Sequence, residues 1–397
     1  MFSRRVPADL RPNRLSAAFA AARAAGRPLL DLTLANPTRA GLAYPPDLLR
    51  GLSDPGALAY RPEPFGEIAA RAALARTLSQ RGWTIDAGRV FLTASTSEAY
   101  ALIFKLLCDP GDEVLVPRPS YPLFEHLTAL DNVVAVPYRL DYHGTWAIDR
   151  VSLEEGLGSR TRAILLVSPN NPTGSVHRHD DARWVEALAA ARGLAVVSDE
   201  VFGDYLLEPA TDARVSLLDR AGDEAERPLG FVLGGLSKSA GLPQLKLAWT
   251  VIDGPAGLVA DAVRRLEVIC DTYLSVGTPV QRALPALIER TSDLRRDIHA
   301  RVRGNLLQLR AGLTGAPACD VPRVEGGWSA VVRVPAIVTE EDMVLRLLDH
   351  HGVMVHPGFF FDFSAEAFLV VSLLPAPETF GHGVEAVAST VHGLLPR

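Results

Sequence analysis

In chain order the sequence offers Asn171 in SPNNPTG (168–174), Asp199 in SDEVF (198–202) and Lys238 in LSKSAGL (236–242). Each residue type brings its own chemistry. A lysine amine condenses with an aldehyde to an imine, an aspartate keeps a pyridine nitrogen protonated, and an asparagine amide donates to a ring phenolate. Those are the demands of pyridoxal phosphate, so the triple points to that cofactor. Plainer readings exist for each: a solvated surface lysine, an aspartate that caps a helix or pairs at the surface, and a polar turn at NPTG. Burial between an apolar strand and a Ser/Gly turn, however, would lower the Lys238 pKa toward a usable amine. A carboxylate at the end of an apolar run is costly to bury unless it meets a positive partner such as a protonated pyridine.

The three residues lie 28 and 39 positions apart, so only a fold can bring them together. Short apolar runs supply one: VFLT (90–93), EVLVP (113–117), VVAVPY (133–138), AILLVS (163–168), LAVVSD (194–199), FVLGGL (231–236) and LAWTVI (247–252). They read as strands, alternating with helical stretches such as 97–108 and 121–130. The pattern predicts an α/β fold, a mostly parallel sheet covered by helices, whose ligands collect beyond the carboxyl ends of the strands. The triple sits at or just past such ends. From about Pro285 the pattern changes to a long amphipathic stretch through Arg310, then GGWSAVVRVP (326–335), TEEDMVLRLLDHHG (339–352) and VMVHPGFFF (353–361). This reads as a smaller α+β lobe joined by the N-terminal stretch. The expected division is a large cofactor-binding domain over 45–285 and a discontinuous small domain over 1–44 and 286–397.

Composition narrows the function classes. The 40 basic and 46 acidic side chains give a net charge of -6 with no run of like charges, which argues against nucleic acid or an anionic membrane as partner. No apolar stretch approaches a membrane span, and the N-terminus lacks a signal-peptide pattern. Cys108, Cys270 and Cys319 are odd in number and far apart, which suits a reducing, cytoplasmic setting. The ten histidines form no HExxH or Cys/His grouping, so no metal is expected. No GxGxxG follows a strand, which removes a dinucleotide dehydrogenase.

The three segments, in this order, resemble those of the class I/II aminotransferases, the fold-type I pyridoxal phosphate enzymes, and the likeness runs from about Asp31 to Ser372. It implies that Lys238 forms the imine with the cofactor and later moves the Cα proton, with Asp199 and Asn171 at the ring. TASTSEAY (93–100) puts small hydroxyls ahead of a helix whose free N–H groups and dipole suit a phosphate. By itself that is ordinary capping; the resemblance makes Ser95, Thr96, Ser97 and Ser237 phosphate ligands. Lys246 stands where the family has an arginine, keeping the charge but losing the bidentate fork. Tyr121, in RPSYP, matches the aromatic that stacks on the ring. Tyr60, in YRPEPFG, matches the tyrosine that reaches the neighbouring subunit's phosphate, which implies a homodimer. Asn36 and Arg39, in LANPTRAG, lie in a stretch that resembles the substrate-facing N-terminal loop.

Two positions depart from the family pattern. Phe202 replaces the tyrosine that donates to the ring phenolate, with Tyr205 near enough in sequence to substitute. Val370, in FLVVS (368–372), replaces the arginine that clamps a substrate α-carboxylate. Arg39 and Arg333 are the candidate replacements, and Trp328 with Phe359 to Phe361 is a candidate pocket for an apolar side chain. The function expected is amino transfer between an amino acid or amine and a 2-oxo acid, by ping-pong half-reactions. The alternative is a lyase or cyclase on the same cradle. A transcription regulator built on this domain would need a DNA-binding module that the short N-terminal stretch cannot hold.

Overall fold

The computed structural model describes residues 2–219, 227–316 and 318–395. In chain order the strands are β1 (Leu30–Asp31), β2 (Val90–Thr93), β3 (Glu113–Arg118), β4 (Val134–Tyr142), β5 (Trp146–Ile148), β6 (Thr161–Val167), β7 (Ala195–Asp199), β8 (Gly230–Gly235), β9 (Ala248–Asp253), β10 (Ser329–Arg333), β11 (Val353–Met354), β12 (His356–Pro357) and β13 (Phe368–Ser372).

The apolar runs of the middle of the chain form one sheet in the order β2-β9-β8-β7-β6-β3-β4-β5. Its centre, from β8 to β4, is parallel, while β9 runs antiparallel to both its neighbours and β5 closes the far edge antiparallel to β4. Parallel strands need covering on both faces, and their composition shows it. Ile164 and Val196 point into one core with Leu74, Val185 and Leu284; their neighbours Leu165 and Val197 point into another with Ile103 and Leu266. An α/β architecture with helices on both faces results.

Both ends of the chain build a second, smaller layer. β10, β13 and β12 form an antiparallel sheet in that order, and β1 pairs in parallel with β11, Leu30 opposite Val353. Leu15, Leu32, Ile298, Leu347 and Phe380 share its core. Gly352 makes the β1 pairing possible. It ends the helix Glu340–His351 in the left-handed conformation at φ 66°, and a Cβ there would stand 2.5 Å from the Pro28 carbonyl. The long amphipathic stretch expected from about Pro285 is in fact two helices, Thr278–Arg290 and Ser292–Leu313. Between them the Thr291 hydroxyl bonds back to the Leu287 carbonyl at 2.7 Å, a local bond that competes with the helical ladder.

A buried hub fastens the two layers. Glu325, 1 % exposed, accepts from Arg178 at 2.8 Å, from the Ala210 amide at 3.1 Å and from the Val176 amide at 3.2 Å. The amides of Glu325 and Gly326 both donate to Gly174 of the NPTG turn at 2.9 Å. Gly174 has φ 69°, and a Cβ there would meet Val324 Cγ1 at 2.6 Å, so only glycine allows this approach. Among the described residues no helix is long and apolar enough to cross a membrane, and no group of His, Cys, Asp and Glu is arranged to hold a metal.

Candidate active site

Three adjacent strand ends make the floor of the site. Val167 of β6 pairs with Asp199 of β7, and Asp199 pairs with Leu233 of β8. Asn171 and Lys238 follow four and five residues beyond those partners, so the sheet register brings the three to one rim. Asp199 is held through both oxygens: the Val201 amide donates to Oδ1 at 3.2 Å and the Tyr100 hydroxyl to Oδ2 at 3.0 Å. Burial raises its pKa; the two hydrogen bonds and the Lys238 ammonium act against that rise. Among the described residues no arginine or lysine lies within ion-pair distance of it. A partly buried carboxylate with hydrogen bonds but no ion-pair partner is suited to a positively charged ring nitrogen.

Lys238 lies in the one-turn helix Leu236–Ser239 that directly follows β8. The strand closes with two glycines against β9: a Cβ at Gly234 would meet the Trp249 indole nitrogen at 2.5 Å, and one at Gly235 the Ala248 Cβ at 3.2 Å. The turn is tied down by three donors to its carbonyls, Tyr205 to Lys238 at 2.8 Å, Arg295 to Ser239 at 2.8 Å and Tyr44 to Gly241 at 2.7 Å. The lysine side chain as a whole keeps some accessible surface, but its amine is enclosed by protein. Burial lowers its pKa to about 8, with the Asp199 carboxylate pulling the other way. The amine lies 4.8 Å from the Trp328 ring centre and 5.4 Å from that of Phe202.

Asn171 is oriented from the small sheet. The Ser329 hydroxyl of β10 donates to its Oδ1 at 3.3 Å, which leaves the amide N–H groups available to a ligand oxygen. At the other end of the rim, Ser95 caps the helix Thr96–Leu107, its Oγ accepting from the Glu98 amide at 3.1 Å. Glu98 reciprocates by accepting from the Ala94 amide at 2.6 Å and also takes the Ser275 hydroxyl at 2.8 Å. Thr96 and Ser97 open the helix beside this cap, and Ser237 lies in the turn that carries Lys238. Lys246 is exposed, in a left-handed conformation at φ 50°. Tyr121, 41 % exposed, stands edge-on to Phe124 and near enough to Asp199 for that charge, after burial, to raise its hydroxyl pKa. Tyr60, 75 % exposed, points outward at a cleft shared with Tyr273 and Gln281.

The opposite wall is apolar. Val370 pairs with Val331 on one side and His356 on the other, so the three side chains share the sheet face that also carries Ser329. Val331, Val370 and Phe361 form a buried cluster against Phe360, Phe363 and Phe368. Arg333, on the same face, is turned to Asp320 at 4.0 Å and to the Tyr142 ring at 5.8 Å. Arg39 is exposed on the short turn Pro37–Arg39, capped by Asn36 through Thr38, and among the described residues no hydrogen bond or ion pair engages its side chain. That loop is tied to the end of β13 by the Ser372 hydroxyl, which donates to the Leu34 carbonyl at 2.6 Å. Trp328 is fully buried against Lys238, Phe202 and Tyr205, whereas Phe360 and Phe361 pack on His356. Tyr205 spends its hydroxyl on the Lys238 carbonyl, so it is not a free donor to a ring oxygen.

Tyr100, Ser329 and Glu325 were not singled out from the sequence. Tyr100 left a signal inside TASTSEAY, since a tyrosine within an apolar helix needs a partner for its hydroxyl. Ser329 and Glu325 left none, because their partners lie 158 and 147 residues away.

Comparison with known proteins places this geometry. The family model described as aminotransferase class I and II matches residues 31–387. The chain is 26 % identical to the glutamate-pyruvate aminotransferase AlaA of Haemophilus influenzae over 88 % of its own length and 87 % of that protein's. It is 27 % identical to an alanine aminotransferase of Mycobacterium tuberculosis, covering 92 % of this chain and 86 % of that one. An alanine aminotransferase from Pyrococcus furiosus superposes with a TM-score of 0.87 at 21 % identity, over 99 % of this chain and 100 % of the other, a likeness of fold.

Proposed function

The chain belongs to the class I and II aminotransferases, enzymes that depend on pyridoxal phosphate, and on that premise we propose how its own residues carry out the amino transfer. When bound, the cofactor supplies an electron sink and a temporary carrier for the amino group. Asp199 would hold the proton of the ring nitrogen, Asn171 would donate to the ring oxygen, and Tyr121 would cover the ring face. Ser95, Thr96, Ser97, Ser237 and Lys246 would hold the phosphate. Lys238 would anchor the aldehyde carbon and, once freed by the incoming amine, would carry the proton from the substrate carbon that bears nitrogen to that former aldehyde carbon. A pKa near 8 leaves a useful fraction of that amine neutral at physiological pH. The observation that carries this reading is the partly buried Asp199 carboxylate, fastened by Tyr100 and Val201 on the rim it shares with Lys238, with no arginine or lysine within ion-pair distance among the described residues.

The overall reaction moves an amino group from an amino acid or amine to a 2-oxo acid in two half-reactions. The relatives' names make alanine and glutamate the first donors to test, with pyruvate and 2-oxoglutarate as acceptors. With Val370 in an apolar cluster, Arg39 and Asn36 on the loop tied to β13 take the substrate carboxylate. Residues 45–285 form the cofactor-binding unit, and 1–44 with 286–397 form the unit that covers the substrate. The exposed Tyr60 reaches the phosphate of a second copy, making the active form a homodimer. Three free cysteines support a cytoplasmic setting.

An absorbance spectrum of the purified protein supplied with pyridoxal phosphate tests the assignment. A visible band that Lys238→Ala abolishes, and that alanine or glutamate converts to the amino form of the cofactor, is the expected result. Failure of the wild-type protein to take up any chromophore overturns it.

A further inference from the structure

Lys238 is one of only three lysines in the chain, with Lys105 and Lys246. Its amine is set between two rings that reach it from different layers. Phe202 comes from the turn after β7 and Trp328 from the residue before β10, and the rings meet edge-on at 5.4 Å and 66°. Tyr205 backs the indole at 5.0 Å while its hydroxyl fixes the Lys238 carbonyl. Trp328 is 1 % exposed and its Nε1 has no hydrogen-bond partner among the described residues, so packing and backbone place the ring. The backbone bonds are Gly327 N–H to the Tyr205 carbonyl at 2.9 Å and Leu373 N–H to the Trp328 carbonyl at 2.7 Å. The two glycines before the tryptophan permit the approach: a Cβ at Gly326 would stand 2.9 Å from the Tyr205 carbonyl, and Gly327 has φ 86°. An aromatic face attracts an ammonium and is nearly indifferent to a neutral amine. The enclosure therefore distinguishes the two protonation states of one atom.

We propose that Phe202 and Trp328 form an aromatic box that takes up the Lys238 ammonium whenever the amine is not covalently engaged, Trp328 being a positioning residue contributed by the small sheet. The function of the box rests on Lys238 being the reacting amine. The neutral amine takes a proton from the substrate carbon and becomes an ammonium. The box holds that ion until the same proton is passed on, so the amine ends the half-reaction neutral again with no proton gained or lost. The other titratable and charged groups around the lysine turn are Asp199 from β7, Tyr205 from the turn after it, Tyr44 at Gly241 and Arg295 at Ser239. Burial opposes the charge that the rings favour.

With so few lysines, the box is measurable in the cofactor-free protein. Labelling with 13C at the lysine ε-carbon gives three resonances, assigned with Lys105→Arg and Lys246→Arg and followed against pH. Trp328→Leu should lower the Lys238 pKa by roughly half a unit to one and a half units, the range of a cation–π contact from exposed to desolvated. Trp328→Phe keeps a ring and should restore the wild-type value, and Phe202→Leu should lower it less than Trp328→Leu. An unchanged or raised pKa in Trp328→Leu overturns the proposal, because the rings would then only exclude water. Circular dichroism reports the fold of each variant. If Trp328→Leu fails to fold, Phe202→Leu decides by the same criterion. In the loaded enzyme, Trp328→Leu should lower kcat about tenfold and enlarge the isotope effect with a donor deuterated at Cα. A wild-type protein that transfers no amino group would sink the assignment of Lys238 while leaving the titration result intact.

Discussion

Asp199 at the end of β7 and Val370 in the middle of β13 belong to the two walls of one site, and their surroundings have little in common. Around Asp199 the polar atoms are paired: Tyr100 and Val201 on the carboxylate, Ser329 on Asn171, and Tyr205, Arg295 and Tyr44 on the carbonyls of the lysine turn. Around Val370 there is an aromatic and aliphatic cluster with one histidine whose Nδ1 has no partner among the described residues. The first wall is preorganised for one ring of fixed chemistry, and preorganisation of this kind gives an electrostatic site its strength. The second is apolar and buried, and the cation proposed for charge recognition, Arg39, is exposed on a separate loop. The same fold can therefore keep its cofactor while changing what it accepts.

The comparison is broken most severely at Lys238. Lys238→Ala should cost at least about 10³-fold in turnover and remove the visible band, with circular dichroism unchanged, because it deletes the amine proposed as both nucleophile and proton carrier. Next comes the hub that holds the walls together. Glu325→Ala leaves half-buried Arg178 with only Asp212, at 3.7 Å, and strips the Val176 and Ala210 amides of their acceptor; it should lower stability by roughly 3–5 kcal/mol, read from denaturant unfolding. Val370→Arg probes the apolar wall directly. It should destabilise the protein by roughly 2–4 kcal/mol, the cost of a charge placed among Val331 and Phe361. A stable variant with tighter amino-acid binding would instead show that this wall is a carboxylate seat waiting for its cation. Arg39→Ala should raise KM for an amino-acid donor about tenfold while leaving the cofactor spectrum alone. The mildest test is pH. Burial depresses the Lys238 pKa from 10.5 to about 8, so its neutral fraction rises through pH 8 rather than 10.5. The rate at which cofactor-free protein develops the visible band should increase with pH and level off above about 8.

Much of the polar wall was legible in the chain. Asn171, Asp199 and Lys238 sit in short motifs at the ends of apolar runs, and the strands formed within a residue or two of AILLVS, LAVVSD and FVLGGL. The helix read over 97–108 is Thr96–Leu107, and that read over 121–130 starts only at Phe124, since Tyr121 to Leu123 form the turn that delivers the tyrosine. β5, three residues long at a sheet edge, gave too short an alternation to be seen. The apolar wall was visible only as a substitution, Val370 without arginine. That His356 and Val331 flank it, that Arg333 is committed to Asp320, and that Trp328 lies on Lys238 rather than beside Phe360 all came from strand pairing.

The chain by itself pointed to the cofactor, because a lysine, an aspartate and an asparagine of types suited to its aldehyde, ring nitrogen and ring oxygen stand in short motifs at the ends of apolar runs. Only the tertiary structure decided how those residues are held and what faces them. Ser329 reaches Asn171 across 158 residues and Glu325 reaches Arg178 across 147. Contacts over such distances are set by which sheets pack together, and no local pattern of apolar and polar residues specifies that.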